Sequence, residues 1–389
     1  MKDVKIRKRW FRFFVALLMA SLVLAGCSSS PAPAEPQQPE GQSVTQAKIG
    51  MVGPLSGNAA TYGVSTKRGV EIAVDEVNQA GGINGVQVDL VAEDSRGDQT
   101  EAANATRKLV EQDNVAAIVG AVLSSETFSG GPIANDSKVP MISSSSTAPG
   151  VPDIGPYIFR NCIADDVQAA QLAEYAVNEL DAKKFAVMFT NNDYGIALRD
   201  GFTARAEELG EVVAVEAYTD GDSNFSAQIT KIKAQAPDAL YIGGYYTEAA
   251  KIAQQAKEQG LEVQLLGGDG FYSAKLVELG GQSVEGAVFT AGFYSGDSSA
   301  AVQNFVSAFK AKFGEEPDMF AAQAYDAAKI VLEAMTKVGT SDRDKIRDAM
   351  AETKDFPGIT GLTSFADNGD ADKTIVILKV RDGKFERVQ

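Results

Sequence analysis

The sequence contains no histidine and only two cysteines, Cys27 and Cys162. Without histidine, neither a Ser/His/Asp nor a Cys/His catalytic set can be assembled, and His-containing zinc sites are excluded. No other metal site is expected. Enzymes built on carboxylates, Ser/Lys or Tyr stay open in principle, but no nucleophile–base set stands out and a non-enzymatic role is expected. The 37 glycines never form Gly-x-Gly-x-x-Gly opening a helix in the first half of the fold, nor a phosphate loop ending in Gly-Lys-Ser/Thr. A nucleotide finds no support, and no cofactor is called for. Basic residues are also scarce, 36 against 52 acids, for a formal charge of −16. No basic cluster reverses that balance locally, so nucleic acid is not a partner.

What basic and apolar clustering exists lies at the start. Lys2, Lys5, Arg7, Lys8, Arg9 and Arg12 precede an apolar stretch over 13–25 that only Ser21 interrupts. Thirteen residues fall short of the roughly 20 that a spanning helix needs and match a signal-peptide core. The stretch ends in Leu24-Ala25-Gly26-Cys27, small residues before a cysteine, like a bacterial lipobox. Residues 1–26 are therefore expected to be removed and Cys27 lipidated, anchoring the protein on the outer side of the membrane. The remainder holds 30 basic and 51 acidic residues, because the leader takes six bases and Asp3 with it. With Cys27 acylated no intramolecular disulfide can form, and Cys162 reads as a small core residue. Residues 28–47 carry four prolines and almost no large apolar side chains, which predicts a disordered tether.

From Lys48 the pattern alternates between strands and helices. The spacing predicts strands at 48–53, 86–91, 115–119 and 139–142, with helices at 63–80, 98–112 and from 125. The grammar restarts after Asn161. Helices are expected at 165–180, 195–208, 224–235, 247–259 and near 273–279, and strands at 184–189, 212–218, 238–242, 263–266 and 288–289. Helices at 299–312, 319–337 and 342–351 follow, and an antiparallel pair, 374–380 and 385–388, closes the chain. Continuous apolar strands between helices imply parallel sheets covered on both faces. The fold class is α/β, with two doubly wound units.

In such sheets ligands gather beyond the carboxyl ends of the strands. There lie Val122, Ser124 and Ser125, then the hydroxyl-rich run Ser143 to Thr147, then Tyr245, and then Gly267-Gly268-Asp269-Gly270. Ser124 and Ser125 open a helix, where unpaired N–H groups suit a carboxylate; ordinary N-capping accounts for them equally well. Asp269 between glycines is placed to hold an ammonium group, although a tight turn reads the same way.

As an ordered set, Met51-Val52-Gly53-Pro54-Leu55-Ser56-Gly57, Ala80-Gly81-Gly82-Ile83-Asn84-Gly85, Ser143 to Pro149, Asn192-Asp193-Tyr194-Gly195 and Tyr241-Ile242-Gly243-Gly244-Tyr245 resemble the branched-chain amino acid (Leu/Ile/Val) binding proteins of ABC transporters, of type I periplasmic-binding fold. The resemblance covers 48–389. It implies two lobes crossed three times by the chain, one of 48–164 plus 292–366 and the other of 165–291 plus 367–389. It further implies that Ser124, the Ser145 backbone and Thr147 grip the ligand α-carboxylate, that Tyr245 and Asp269 meet the α-ammonium, and that Tyr62, Val122, Tyr194 and Phe320 surround the side chain. Plain core packing is the competing account of the aromatics.

Two departures stand out. Asp269 occupies a position usually held by glutamate, and Arg96 and Leu123 lie near the positions of a disulfide, so the carboxylate loop is expected to be held by packing alone. The resemblance implies capture of a small zwitterionic amino acid, branched-chain or otherwise neutral and aliphatic. A monomer would deliver it to a membrane permease and its ATPase. The alternatives are a soluble sensor subunit reporting amino acids or related small acids and amides to a membrane receptor, and an extracytoplasmic hydrolase.

Overall fold

In the computed structural model the described residues are 47–339 and 342–388. The expected leader, the lipidated Cys27 and nearly all of the tether lie outside them. The tether's last residue does not: Ala47 is buried and pairs with Val88 as the first residue of a strand.

The first half winds as β1 (Ala47–Gly53), α1 (Ala60–Gln79), β2 (Val88–Asp94), α2 (Gln99–Glu111), β3 (Ala117–Val119), α3 (Ser124–Asp136), β4 (Met141–Ser143) and β5 (Ile158–Arg160). All five strands are parallel, in the order β2-β1-β3-β4-β5. The chain then leaves this sheet for α4 (Asp165–Leu180), β6 (Lys184–Thr190), α5 (Asp193–Leu209), β7 (Glu211–Tyr218), α6 (Ser226–Lys233), β8 (Ala239–Gly243), α7 (Tyr246–Glu258), β9 (Gln264–Gly267), α8 (Ala274–Gly280) and β10 (Val288–Ala291). It returns for α9 (Ala300–Phe313), α10 (Met319–Val338), α11 (Arg343–Ala351) and a short hairpin, β11 (Phe356–Gly358) and β12 (Gly361–Thr363). A third crossing delivers β13 (Val376–Arg381) and β14 (Lys384–Arg387). The second sheet runs β14-β13-β10-β9-β8-β6-β7. Its parallel part repeats the winding order of the first, and β13 and β14 complete it antiparallel.

The apolar pattern explains this layering. Strands β3, β4, β8 and β10 are buried along their whole length, as strands covered on both faces must be. Each buried aliphatic or aromatic side chain stabilises the fold by about 1.5–3 kcal/mol before entropy is counted. Helices α1 and α10 pack closely over the first sheet, and Gly69 permits it: a Cβ there would lie 2.0 Å from the Ala321 carbonyl oxygen. The closing turn places Asp382 and Gly383 at φ 50° and 71°, the pair of positive values that suits a two-residue hairpin between twisted strands.

Three expectations shift. Strand 115–119 shortens to Ala117–Val119, because the Val115 amide donates to the Leu109 carbonyl and closes the turn after α2. Strand β5 and the β11–β12 hairpin were not expected; at three residues each they are too short for periodicity to register. Ser124 and Ser125 do not cap α3. Leu123 holds the cap position, and the Glu126 carboxylate accepts its amide at 3.3 Å.

Candidate functional site

Both sheets point the carboxyl ends of their strands at one cavity of about 250 Å³. Tyr62, Val122, Leu123, Ser124, Ser145, Tyr194, Tyr245, Asp269, Gly270 and Phe320 line it. The structure thus gathers eight of the nine candidate ligand residues around one cavity. The ninth, Thr147, is fully buried but not among the lining residues, and its hydroxyl has no hydrogen-bond partner among the described residues.

Ser124, the first residue of α3, borders the cavity together with Ser145 of the 143–149 loop. The amide groups of a helix's first turn and its dipole make this part of it favourable to an anion. The loop is not held by packing alone. Ser143 Oγ and Ser146 Oγ donate to the Ala121 carbonyl at 2.7 and 3.0 Å, and Ser145 Oγ donates to the Val122 carbonyl at 2.8 Å. The Ala148 amide donates to Ser124 Oγ at 3.2 Å, and Arg160 Nη1 donates to the Thr147 and Ala148 carbonyls at 3.0 Å each. This hydroxyl network, with Arg160 behind it, ties the segment after β3 to the 143–149 loop. Glu126 lies beneath, accepting from Ser95 Oγ at 2.5 Å. Burial pushes its carboxyl up to about 7, against the pull of those hydrogen bonds.

Asp269 borders the same cavity; its Oδ1 accepts the Tyr194 hydroxyl proton at 2.6 Å, and Tyr194 accepts the Gly270 amide at 2.9 Å. A Cβ on Gly270 would sit 2.8 Å from that hydroxyl, so glycine is what allows the contact. Burial raises Asp269 to about 6, opposed by its bonds to Tyr194, Gln168 and the backbone. Tyr194 stacks on Tyr245 with ring centroids 5.2 Å apart, and Asn192 donates to the Tyr245 hydroxyl at 3.4 Å.

The lobes meet around this cavity. Tyr62, on α1, donates to the Gly270 carbonyl at 2.5 Å and accepts the Tyr246 amide at 3.2 Å. Its ring lies 4.3 Å from that of Phe320. Tyr246 in turn donates to the Asn58 carbonyl at 3.0 Å. Such contacts between the two sheets' elements are those of a closed cleft. A second cavity of about 530 Å³, bordered by Asn58, Arg96, Asp220 and Glu248, shares Leu123 and Tyr245 with the first.

Three participants were not picked out from the sequence: Asp165, Arg160 and Glu126. Asp165 opens α4 and is wholly buried. In sequence each is one acid or base among many. Only the fold shows that these three are buried. Among the described residues no group of three or more His, Cys, Asp or Glu could hold a metal ion, and no helix is long and apolar enough to cross a membrane.

Two doubly wound lobes meeting at a cavity lined by both a buried acid and a helix N-terminus define a bilobed solute-binding protein. The chain belongs to the periplasmic binding protein family, whose model matches residues 46–384. It is 32% identical to the leucine-, isoleucine-, valine-, threonine- and alanine-binding protein of Pseudomonas aeruginosa, over 83% of this chain and 86% of that one. The leucine-binding protein LivK of Thermotoga maritima superposes with a TM-score of 0.84 at 35% identity, covering 88% of this chain and 98% of that one. LivJ of Streptococcus pneumoniae, a branched-chain amino acid substrate-binding protein solved with isoleucine, superposes at 0.82 with 36% identity and the same coverage.

Proposed function

We propose that this protein is the extracytoplasmic solute-binding component of an ABC importer and captures a neutral zwitterionic amino acid, with Leu, Ile and Val the first choices. One observation carries the reading. The cavity brings a carboxylate, Asp269, together with the start of α3 and its hydroxyls, and Val122, Leu123, Tyr62 and Phe320 complete its lining. A zwitterion with a short apolar side chain is complementary to all three regions. Ser124 and the Ser145 backbone hold the carboxylate, with Thr147 behind them; Asp269 and Tyr245 meet the ammonium; Tyr62, Val122, Tyr194 and Phe320 enclose the side chain. Closure excludes water, which strengthens each charge-assisted hydrogen bond.

The lobes in this reading are 48–164 with 292–366, and 165–291 with 367–389, a division supported by which elements build which sheet. The chain acts as a monomer, without catalysis, anchored through lipid on Cys27 and passing its ligand to a permease and its ATPase. The test is a thermal-shift panel of all amino acids on ligand-stripped protein lacking residues 1–27. Stabilisation by Leu, Ile or Val is expected. Stabilisation only by compounds lacking the α-amino and carboxylate pair overturns the reading.

A further inference from the structure

Tied to the 143–149 loop and within electrostatic reach of Asp269 lies a second acid for which ligand capture as described has no use. Asp165 has no exposed surface. Its amide donates to the Thr147 carbonyl at 2.9 Å, and its Oδ1 accepts from Gln168 Nε2 at 2.9 Å. Its Oδ2 has no hydrogen-bond partner among the described residues, nor has Thr147 Oγ1, although that hydroxyl is close enough to favour the charged carboxylate. Gln168 is within reach of both acids, since it also favours the charged form of Asp269, and its own Oε1 is taken by Thr290 Oγ1 at 2.5 Å.

The surroundings do not neutralise two charges. The titratable and charged groups that feel the Asp165 charge are Asp269 from the turn after β9, Arg160 from β5, Cys162 from the first crossing, and Tyr194, Tyr241 and Tyr245 from α5, β8 and the start of α7. Arg160 is the one cation in that set, and its Nε and Nη2 are committed to Asp370. Two buried carboxylates with a shared neighbourhood and no free counter-ion do not both ionise; one proton stays with the pair.

We propose that Asp165 and Asp269 form one proton-holding unit in the empty site, and that arrival of the ligand's ammonium group expels that proton to solvent. The inference rests on the functional reading above. Asp269 meets the ligand, while Asp165 is a positioning residue that acts through it. The incoming cation replaces the proton as the pair's neutralising charge, so the site accepts an ammonium without accumulating uncompensated charge. A ligand with a carboxylate but no ammonium cannot make that exchange.

The experiment is calorimetry of the protein lacking residues 1–27 with isoleucine, at pH 7 in phosphate and in Tris, whose ionisation enthalpies differ. Neither of the ligand's own groups titrates there, and the measurement is made in Glu126→Gln as the reference protein so that the acid at about 7 in the first turn of α3 adds no proton of its own to the count that the buffer dependence gives. Release on the order of one proton per isoleucine is expected. With Asp165→Asn added the release should largely vanish, and the acid-side loss of affinity should move to lower pH. Binding with no linked proton in the reference protein overturns the proposal, whatever the added variant does; so does an unchanged count with Asp165→Asn. Absence of binding by isoleucine, leucine and valine overturns the functional reading itself, a different result from binding without proton release.

Discussion

Arg160 grips Asp370 through two parallel hydrogen bonds, Nε to Oδ1 at 2.8 Å and Nη2 to Oδ2 at 2.5 Å. Its remaining nitrogen holds the Thr147 and Ala148 carbonyls. Arg160 ends β5, just before the first crossing between lobes, and Asp370 lies on the third. One guanidinium therefore joins two hinge segments to the 143–149 loop beside the cavity. Breaking a buried pair by removing one partner costs about 3–5 kcal/mol. Arg160→Met is expected to lose that much in urea unfolding and to weaken ligand binding as well. Asp370 is one-third exposed but Arg160 is buried, so Asp370→Asn strands a buried guanidinium charge and should cost a comparable amount. Equal stability of Arg160→Met and the unaltered protein would remove this role.

Asp269 and its Tyr194 partner set the second prediction. Asp269→Ala and Ser124→Ala should each weaken amino-acid binding by about 1.5–3 kcal/mol, the range for hydrogen bonds to charged groups. Tyr194→Phe should act in the same direction, because it leaves Asp269 Oδ1 without its donor. Titration calorimetry with unchanged dissociation constants for both alanine variants would sink the pocket assignment.

Glu126 gives a pH prediction with a definite sign. Its folded-state pKa, about 7, lies above the ordinary 4.5 because burial favours the neutral acid. Between these values the folded state binds more protons than the unfolded chain, so this residue lowers stability as pH rises from about 4.5 to 7. Glu126→Gln keeps a neutral hydrogen-bonding group and should flatten that part of the curve. Chemical unfolding of both proteins at pH 5, 6, 7 and 8 measures it; parallel curves would contradict the assignment.

Leu123 stands between the ligand cavity and the second interlobe cavity. Tyr245 shares that wall but is stacked on Tyr194 and bonded to Asn192. Leu123→Ala should therefore open the partition and raise affinity for phenylalanine and methionine relative to valine by roughly tenfold, the worth of about 1.4 kcal/mol. An unchanged order of preference in a competition assay would show that Leu123 does not limit ligand size.

Much of the site was legible because strand ends announce themselves: an apolar run that stops in glycine or serine marks a carboxyl end, and doubly wound sheets bind ligands there. Val122, Ser124, Ser145, Tyr245 and Asp269 were found that way or through the ordered motifs around them, and they share one cavity. The hydroxyl network of Ser143, Ser145 and Ser146 was not legible, since hydroxyls in a loop look alike until their acceptors are known. Asp165 was hidden for a related reason. At the first turn of a helix an acid is unremarkable, and its burial depends on α4, β8 and the turn after β9 converging.

By itself the sequence determined the alternation of strands and helices, the restart after Asn161, the closing hairpin and the exclusion of histidine chemistry, because these depend on local periodicity and on composition. Tertiary structure alone decided which acids lose their water, which loop carbonyls Arg160 holds, and how Tyr62 bridges to Gly270 across more than two hundred residues of chain. Desolvation and long-range hydrogen bonding are properties of neighbours in space, and no local pattern encodes them.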